Sequence, residues 1–263
     1  APAPAPPPRS PHGLLPWRAS GSTVGSGWCE AEVPQTGWNL FRQCGNLQLT
    51  VLTYNLFWWN LFGVRGGNGG SAGKLIAENG PFDVMGFQEC RDARRVLKDA
   101  GLHAAYNVVD EGHGLAMAYN KSAWEELGAG SRLIADDRRD QYYGTRAVSW
   151  LRLRHASRGA TVLFLNHHGP LPINSGGHCG PQATAYGLLR AASTEARAGD
   201  SVILVGDFNA DATSSIQRTL QGSLHRLVEH GIDAVFASCP GVSGRRLGTG
   251  GSDHEALEAR LVI

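Results

Sequence analysis

The chain has 263 residues, of which 42% are hydrophobic and 18% charged, with a formal net charge of +1. This composition is typical of a globular protein with one large core, or two small ones at most. The near-zero charge excludes a strong global attraction to nucleic acid or to an anionic membrane, and no apolar run approaches the ~20 residues of a membrane span.

Three segments follow one another along the chain. Residues 1–16 are rich in Ala and Pro and predict an extended tail. Residues 17–46 carry Trp and Cys outside the core pattern and predict a small stapled extension laid on the main domain. From residue 47 to 263 the pattern is continuous, which predicts a single domain without a second linker.

Alternating or continuous apolar runs between turn residues predict strands at 47–55, 83–88, 103–109, 114–120, 130–135, 146–154, 161–167, 201–206, 232–238 and 256–262. Helices are predicted at 71–79, 91–100, 181–198 and 212–221. Strands outnumber helices, and helices fall between groups of strands. This order predicts an α+β fold in which two sheets pack on each other with helices outside.

Polar clusters stand at the edges of these apolar runs. Any one of them could be an ordinary turn, but the ordered set indicates one site. In chain order the clusters are Asn55, Gln88-Glu89, Asn166-His167-His168, Gly206-Asp207-Phe208-Asn209 and Ser252-Asp253-His254.

The acidic and amide members are hard oxygen ligands, without a Cys motif or a dense His cluster. Such ligands select Mg²⁺, Mn²⁺ or Ca²⁺ over Zn²⁺. We expect Glu89 and Asp253 to bind a divalent metal, with Mg²⁺ favoured.

Proton transfer requires a different group. His254 is the candidate general base, and Asp233, a carboxylate in an apolar strand run, is the candidate partner that orients its ring; Asp233 could equally be a strand-end turn residue or pair with an Arg. His168 is expected to donate to a phosphate oxygen, and Arg146 to clamp phosphate, although an Arg at a strand edge is commonly solvent-exposed.

Together these motifs, over roughly residues 47–263, resemble the endonuclease/exonuclease/phosphatase superfamily, which includes deoxyribonuclease I. The resemblance implies a four-layer α/β/β/α sandwich. It also implies roles for the site residues. Asn55, Glu89 and Asp253 would hold the metal; Arg146, His168 and Asn209 would bind phosphate; and His168, Asp207, Asn209, Asp233 and His254 would be catalytic.

The sequence departs from the superfamily pattern at His167, where a small residue is usual between Asn and His. Either His168 keeps the family role, which we favour because its spacing from Asn166 is preserved, or His167 takes it after a slip.

The substrate is less constrained. The leading hypothesis is a deoxyribonuclease-like endonuclease acting on a phosphodiester, with no obligate protein partner. The apolar loop Phe57–Phe62 could instead contact lipid, which favours a sphingomyelinase-like or small-substrate phosphoesterase, or it could be a buried helix face. A third hypothesis is that the chain is a non-catalytic binding domain.

Cysteine use favours secretion. Cys29 and Cys44 are expected to form a disulfide, Cys90 and Cys179 to pair near the site, and Cys239 to be left free; alternatively, the last three are reduced and buried. The glycosylation sequon Asn120-Lys121-Ser122 agrees with secretion, and we expect the start at Ala1 rather than Met to reflect processing.

Overall fold

The computed structural model describes residues 38, 40, 44–57, 69–141 and 144–263. The predicted tail 1–16, most of the extension 17–46 and most of the apolar loop Phe57–Phe62 lie outside these residues. Trp38 packs against the outer surface of the main domain, with its ring centroid 6.1 Å from that of Tyr186.

The described residues form the strands β1 (Gln48–Asn55), β2 (Val84–Gln88), β3 (Tyr106–Asp110), β4 (Ala116–Asn120), β5 (Trp124–Asp136), β6 (Thr145–His155), β7 (Thr161–His168), β8 (Asp200–Asp207), β9 (His225–His230), β10 (Asp233–Ala237), β11 (Gly241–Arg246) and β12 (Leu257–Val262). The helices are α1 (Ser71–Asn79), α2 (Ala93–Asp99), α3 (Pro181–Glu195) and α4 (Ser215–Gln221), with a 3₁₀ turn at Arg139–Gln141.

The strands form two six-stranded sheets. The first has the order β11-β12-β1-β2-β4-β3 and the second β5-β6-β7-β8-β10-β9. In each sheet the central pair of strands, β1 with β2 and β7 with β8, is parallel, whereas the other pairs are antiparallel.

Alternation along the central strands explains the layers. In β8, Ile203 and Val205 face the other sheet, whereas Val202 and Leu204 face α3 and α4. On β1, Leu52 and Tyr54 face α1 and α2, whereas Leu49 and Val51 face the other sheet. Because both faces of these strands are buried, each sheet needs a covering layer of helices. The predicted four-layer α/β/β/α sandwich is therefore confirmed.

Two strands were absent from the sequence prediction. All six residues of β11 are exposed, so no apolar run marks it, and β9 is only partly buried. The predicted strand 130–135 is the end of the longer β5, whose first half carries exposed polar residues. Helices α2, α3 and α4 are shorter than predicted.

The predicted disulfide pairing is wrong. Cys44 pairs with Cys239, across 195 residues, and not with Cys29. Cys90 is a free, buried thiol, so it does not pair with Cys179, which is itself disulfide-bonded. Cys239 follows β10 in the core, and the bond attaches the chain before β1 to the second sheet.

None of the helices in the described residues has the length and apolar character needed to cross a bilayer.

Candidate active site

Strand register brings the predicted residues to one edge of the sandwich. The parallel pair β7–β8 places His168 beside Asp207, and the antiparallel pair β8–β10 places Asp207 beside Asp233. In the other sheet, the parallel pair β1–β2 places Asn55 beside Gln88, directly before Glu89. Parallel strands end at the same edge, so residues far apart in sequence meet there.

Glycine at position 206 is required for this arrangement. Gly206 has φ +153°, and a Cβ on it would lie 2.0 Å from the carbonyl oxygen of His167. The close approach of β8 to β7 is therefore possible only without a side chain, and it sets His168 and Asp207 side by side.

Asn55 links the acidic residues of the two sheets. Its Nδ2 donates to Asp207 Oδ2 at 2.9 Å and to Glu89 Oε1 at 3.4 Å. Its Oδ1 accepts from the backbone N–H of Phe57 at 3.0 Å. In this orientation Asn55 braces the two carboxylates and directs its oxygen away from them, so its role as a metal ligand stays a prediction.

Glu89 fits a cation. Its Oε2 is buried and has no hydrogen-bond partner among the described residues. Burial, together with the charges of Asp207 and Asp253, raises the pKa of Glu89 to about 7 against the hydrogen bond from Asn55, which lowers it. A buried carboxylate that is short of partners and surrounded by negative charge is stabilised by a hard cation. Asp253, whose side chain is 57% exposed, is available as a second ligand.

His254 and Asp233 form a close pair. The His254 Nδ1 donates to Asp233 Oδ2 at 2.7 Å, which leaves Nε2 facing Asp207 Oδ2 at 3.8 Å. Burial alone lowers the pKa of His254, but the hydrogen bond and charge of Asp233 and the charge of Asp207 raise it to about 9. The carboxylate thus fixes the tautomer and increases the basicity of Nε2.

The ligand atoms of Asp207, Asp233 and His254 also lie within 4.8 Å of one another, a spacing that a cation could bridge. The short hydrogen bond already satisfies Nδ1 and Asp233 Oδ2, whereas Glu89 retains an unpaired oxygen. Glu89 is therefore better suited than this trio to bind a cation, and in the trio the imidazole is held between two carboxylates.

Arg146 and His168 lie on the other side of Asp207. Arg146 Nη1 is 3.3 Å from His168 Nδ1, and His168 Nε2 is 3.5 Å from Asp207 Oδ2. Burial, followed by the charge of Arg146, lowers the pKa of His168 well below its usual value, so the ring is neutral. Arginine has only donors, so the His168 proton resides on Nε2 and points into the site.

Sequence reasoning missed Asp137. Its fully buried carboxylate accepts from Arg146 Nε at 2.9 Å and from Nη2 at 3.0 Å. Asp137 lies in the run Asp136–Asp140, which by composition predicts a solvated surface. The signal that could have indicated otherwise is its place just after the apolar end of β5, Ile134 and Ala135.

The two adjacent histidines face opposite ways, as neighbours on a strand do. His167 is buried, its Nδ1 donates to the Ala147 carbonyl oxygen at 2.7 Å, and its ring packs 5.9 Å from that of Phe208. Burial lowers the pKa of His167 to about 4. His168 is thus the imidazole that faces the acidic pocket.

Asn209 is held firmly beside the pocket. Its backbone N–H donates to Asp207 Oδ1 at 2.8 Å, and its Nδ2 donates to the Gly169 carbonyl oxygen at 2.8 Å. Among the described residues nothing pairs with the other Nδ2 hydrogen or with the side-chain oxygen, so both are available to a ligand. Its predicted contact with phosphate stays a prediction.

A second feature missed from sequence is a buried amide pair under the site. Gln88 Nε2 donates to Asn166 Oδ1 at 2.6 Å and to Thr53 Oγ1 at 3.0 Å. Asn166 Nδ2 donates to the carbonyl oxygens of Phe87 and Ala116. These bonds join the two sheets next to Glu89 and His168 and fix the width of the pocket.

Comparison with known proteins agrees with this geometry. The model of the endonuclease/exonuclease/phosphatase family matches residues 57–254. A search of curated proteins finds no match.

Similar solved structures include an endonuclease/exonuclease/phosphatase from Bacteroides vulgatus (TM-score 0.66, 17% identity, covering 82% of this chain and 99% of that one). Others are a mannosyl-6-phosphatase from Bacteroides thetaiotaomicron (0.63, 19%, 82% and 100%) and D. rerio TDP2 complexed with single strand DNA product (0.59, 16%, 82% and 99%). At these identities the likeness shows the fold alone.

Proposed function

Because the chain belongs to the endonuclease/exonuclease/phosphatase family, whose members are phosphoester hydrolases, we propose that it is a divalent-metal-dependent phosphodiesterase and that its substrate is nucleic acid. The observation that carries this proposal is the convergence of Glu89, His168, Asp207 and His254 in one pocket, with Arg146 behind His168.

The geometry suggests how the residues divide the work. His254 Nε2 would accept a proton from the attacking water, with the imidazolium stabilised by Asp233. Asp207 Oδ2, between the two imidazoles, would orient that water. The His168 Nε2–H would donate to a phosphate oxygen as negative charge develops on it, and the Arg146 Nη1 hydrogen that is not directed at His168 would donate to another. A divalent cation bound by Glu89 and Asp253 would supply further charge stabilisation at the phosphate.

Loss-of-function variants test the assignment. Asp207→Asn and His254→Ala should each reduce hydrolysis of a phosphodiester by at least 10²-fold, with Mg²⁺, Mn²⁺ and Ca²⁺ tested separately and chelator as the blank. Asp140→Asn and His103→Ala, at exposed positions outside the site, are the matched controls. Full activity in both site variants would refute the proposed roles.

One observation favours a second candidate, a small-substrate phosphoesterase. Many exposed arginines are already paired with carboxylates, and fewer remain to contact a phosphate backbone. The pairs are Arg132–Glu195, Arg154–Glu125, Arg245–Glu258, Arg246–Glu255 and Arg260–Glu258. A panel of plasmid DNA, RNA, sphingomyelin and phosphate monoesters separates the two. Nicking that weakens steeply with salt supports nucleic acid, whereas release of inorganic phosphate or phosphocholine alone supports the second candidate.

We also propose that the protein is secreted. Disulfide bonds at Cys44, Cys239 and Cys179 support an oxidising compartment. Blocking free thiols in denaturant, in protein isolated from its source, followed by reduction and mass spectrometry, should find Cys90 blocked and Cys44 and Cys239 protected. Blocked Cys44 and Cys239 would count against secretion.

A further inference from the structure

The buried acid Asp137 lies behind Arg146, on the opposite edge of the guanidinium from His168. Its carboxylate occupies the Nε and Nη2 donors at 2.9 and 3.0 Å, while Nη1 is left to approach His168. Two parallel hydrogen bonds fix both the plane and the rotation of a guanidinium. Arg146 is therefore held in one orientation before any substrate binds.

That orientation determines the state of His168. Because Arg146 can only donate, its Nη1 requires a lone pair on Nδ1, and the ring carries its proton on Nε2. Nε2 lies 3.5 Å from Asp207 Oδ2 and 3.9 Å from Glu89 Oε1, at the floor of the pocket. The alternative tautomer would set an N–H against Arg146 and leave no donor towards the phosphate.

Asp137 also anchors the neighbouring loop. The backbone N–H of Leu171 donates to Asp137 Oδ1 at 2.7 Å, and Arg138 N donates to the Leu171 carbonyl oxygen at 3.0 Å. The same carboxylate thus ties the start of the loop that follows His168 to the guanidinium. Both oxygens of this buried carboxylate have partners, as burial of a carboxylate requires.

We infer that Asp137 is a positioning residue, which locks Arg146 and through it fixes His168 with its proton on Nε2, facing the substrate phosphate. Its effect on catalysis rests on the proposed function, whereas the tautomer of His168 does not. A carboxylate of this kind acts through its neighbours without touching the substrate, as outer partners of active-site groups do.

A second Arg–Asp pair provides a matched control, and its arginine, Arg152, lies on β6 as Arg146 does. Arg152 Nε and Nη2 donate to Asp200 at 2.7 and 3.0 Å, and Asp200 also accepts a backbone N–H, from Arg197. Arg152 lies six residues from Arg146 on β6, about 20 Å along the strand. Asp200→Asn therefore breaks the same kind of pair without disturbing the pocket.

The experiment compares the full-length wild type, Asp137→Asn and Asp200→Asn. Long-range ¹H–¹⁵N spectra of ¹⁵N-histidine protein, with His168→Gln for assignment, report the tautomer, and steady-state kinetics on the phosphodiester report kcat and KM. We expect a single Nε2–H tautomer in the wild type and in D200N. D137N should lose that single state and about 10- to 100-fold in kcat, while kcat of D200N stays within about twofold.

The inference is overturned if the wild-type ring carries its proton on Nδ1, if D137N retains the wild-type tautomer and kcat, or if D200N loses kcat equally. Should D137N not fold, Arg146→Lys replaces it, because lysine keeps the charge but lacks the fork that Asp137 holds. The single Nε2–H tautomer should again be lost, and this variant is scored by the tautomer alone because Arg146 itself faces the phosphate. If the wild type hydrolyses no phosphoester, the proposed function fails, and the tautomer comparison still decides the role of Asp137.

Discussion

Replacing Asp233 by Asn should change both the pH dependence and the maximal rate of hydrolysis. Asp233 raises the pKa of His254 to about 9 against the effect of burial. A general base works in its neutral form, so activity rises as the pH rises through this pKa. In D233N the pKa of His254 falls, and the acid side of the pH profile should move to lower pH.

The size of this shift in the pH profile follows from the charges that remain around His254. If Asp233 supplied the whole elevation, removing its charge would return the pKa of His254 from about 9 to its ordinary value of 6.5, a difference of about 3.4 kcal/mol. Asp207 and Asp253 remain at 3.8 and 3.9 Å from Nε2, so we expect about 1 to 2 pH units. Although a larger fraction of His254 would be neutral at pH 7, kcat should fall by roughly 10²–10⁴-fold. Without the Asp233 carboxylate, the imidazolium formed in the reaction is not stabilised and the His254 tautomer is not fixed.

The assay measures kcat against pH at saturating cation for wild type, D233N and the surface control D140N. The range from about pH 5 to 10 covers both the ordinary pKa of histidine, about 6.5, and the raised value of about 9. D140N should superimpose on the wild type after scaling. An unmoved acid limb in D233N would show that His254 is not the group whose titration limits the rate. A shifted limb with an unchanged plateau would instead show that the Asp233 charge does not support the transition state.

Three further predictions concern the metal, the strand approach and the buried ion pair. Glu89→Gln should remove the cation-induced rise in Tm, which corresponds to about 2.7 kcal/mol at a cation concentration of 100 times Kd. The metal-free variant should be at least as stable as the metal-free wild type, because the substitution removes a poorly compensated buried charge. A retained rise in Tm would place the cation elsewhere. Gly206→Ala should cost about 3 kcal/mol or more by urea unfolding, against about 1 kcal/mol for Gly159→Ala, which has positive φ but open space; equal costs would exclude the clash. Burial raises the pKa of Asp200, but hydrogen bonds from Arg152 and others lower it overall, so the stabilisation by ionised Asp200 is present at neutral pH and is lost as the pH falls through the folded-state pKa. D200N should lower the free energy of unfolding by about 1–3 kcal/mol at pH 7 and by progressively less below about pH 4. A cost that does not depend on pH would contradict the pairing.

Much of the fold was predictable because the central strands are buried on both faces. A run such as Ser201–Val205 can only be a core strand, and the turn residues after it mark the edge where a site can form. Strand β11 could not be found this way. Its exposed sequence, Gly241–Arg246, carries neither alternation nor an apolar run, and it is a strand only because β12 offers an edge to pair with.

The same distinction applies to the site residues, some of which the sequence predicts and some of which it does not. The strand-end residues could be predicted because each borders an apolar run, whereas Asp137 lies in the charged segment Asp136–Asp140, and its hydrogen bonds with Arg146 and Leu171 form only in the folded chain. The disulfide failed for a related reason. Proximity in sequence favoured Cys29 with Cys44, but Cys239 lies 195 residues away and is brought to Cys44 by the pairing of the sheets.

Backbone conformation explains why the edge residues face inward at all. Phe57, Glu89 and Asn209, just beyond β1, β2 and β8, have φ of 45°, 46° and 45°. For residues other than glycine this left-handed region costs about 1 kcal/mol or more each. It turns the chain back over the strand end, so that Glu89 points across the pocket towards His168 instead of continuing along the sheet. Such strain persists only where the surrounding structure over-determines it, and here the buried strands and the amide bridge between Gln88 and Asn166 do so.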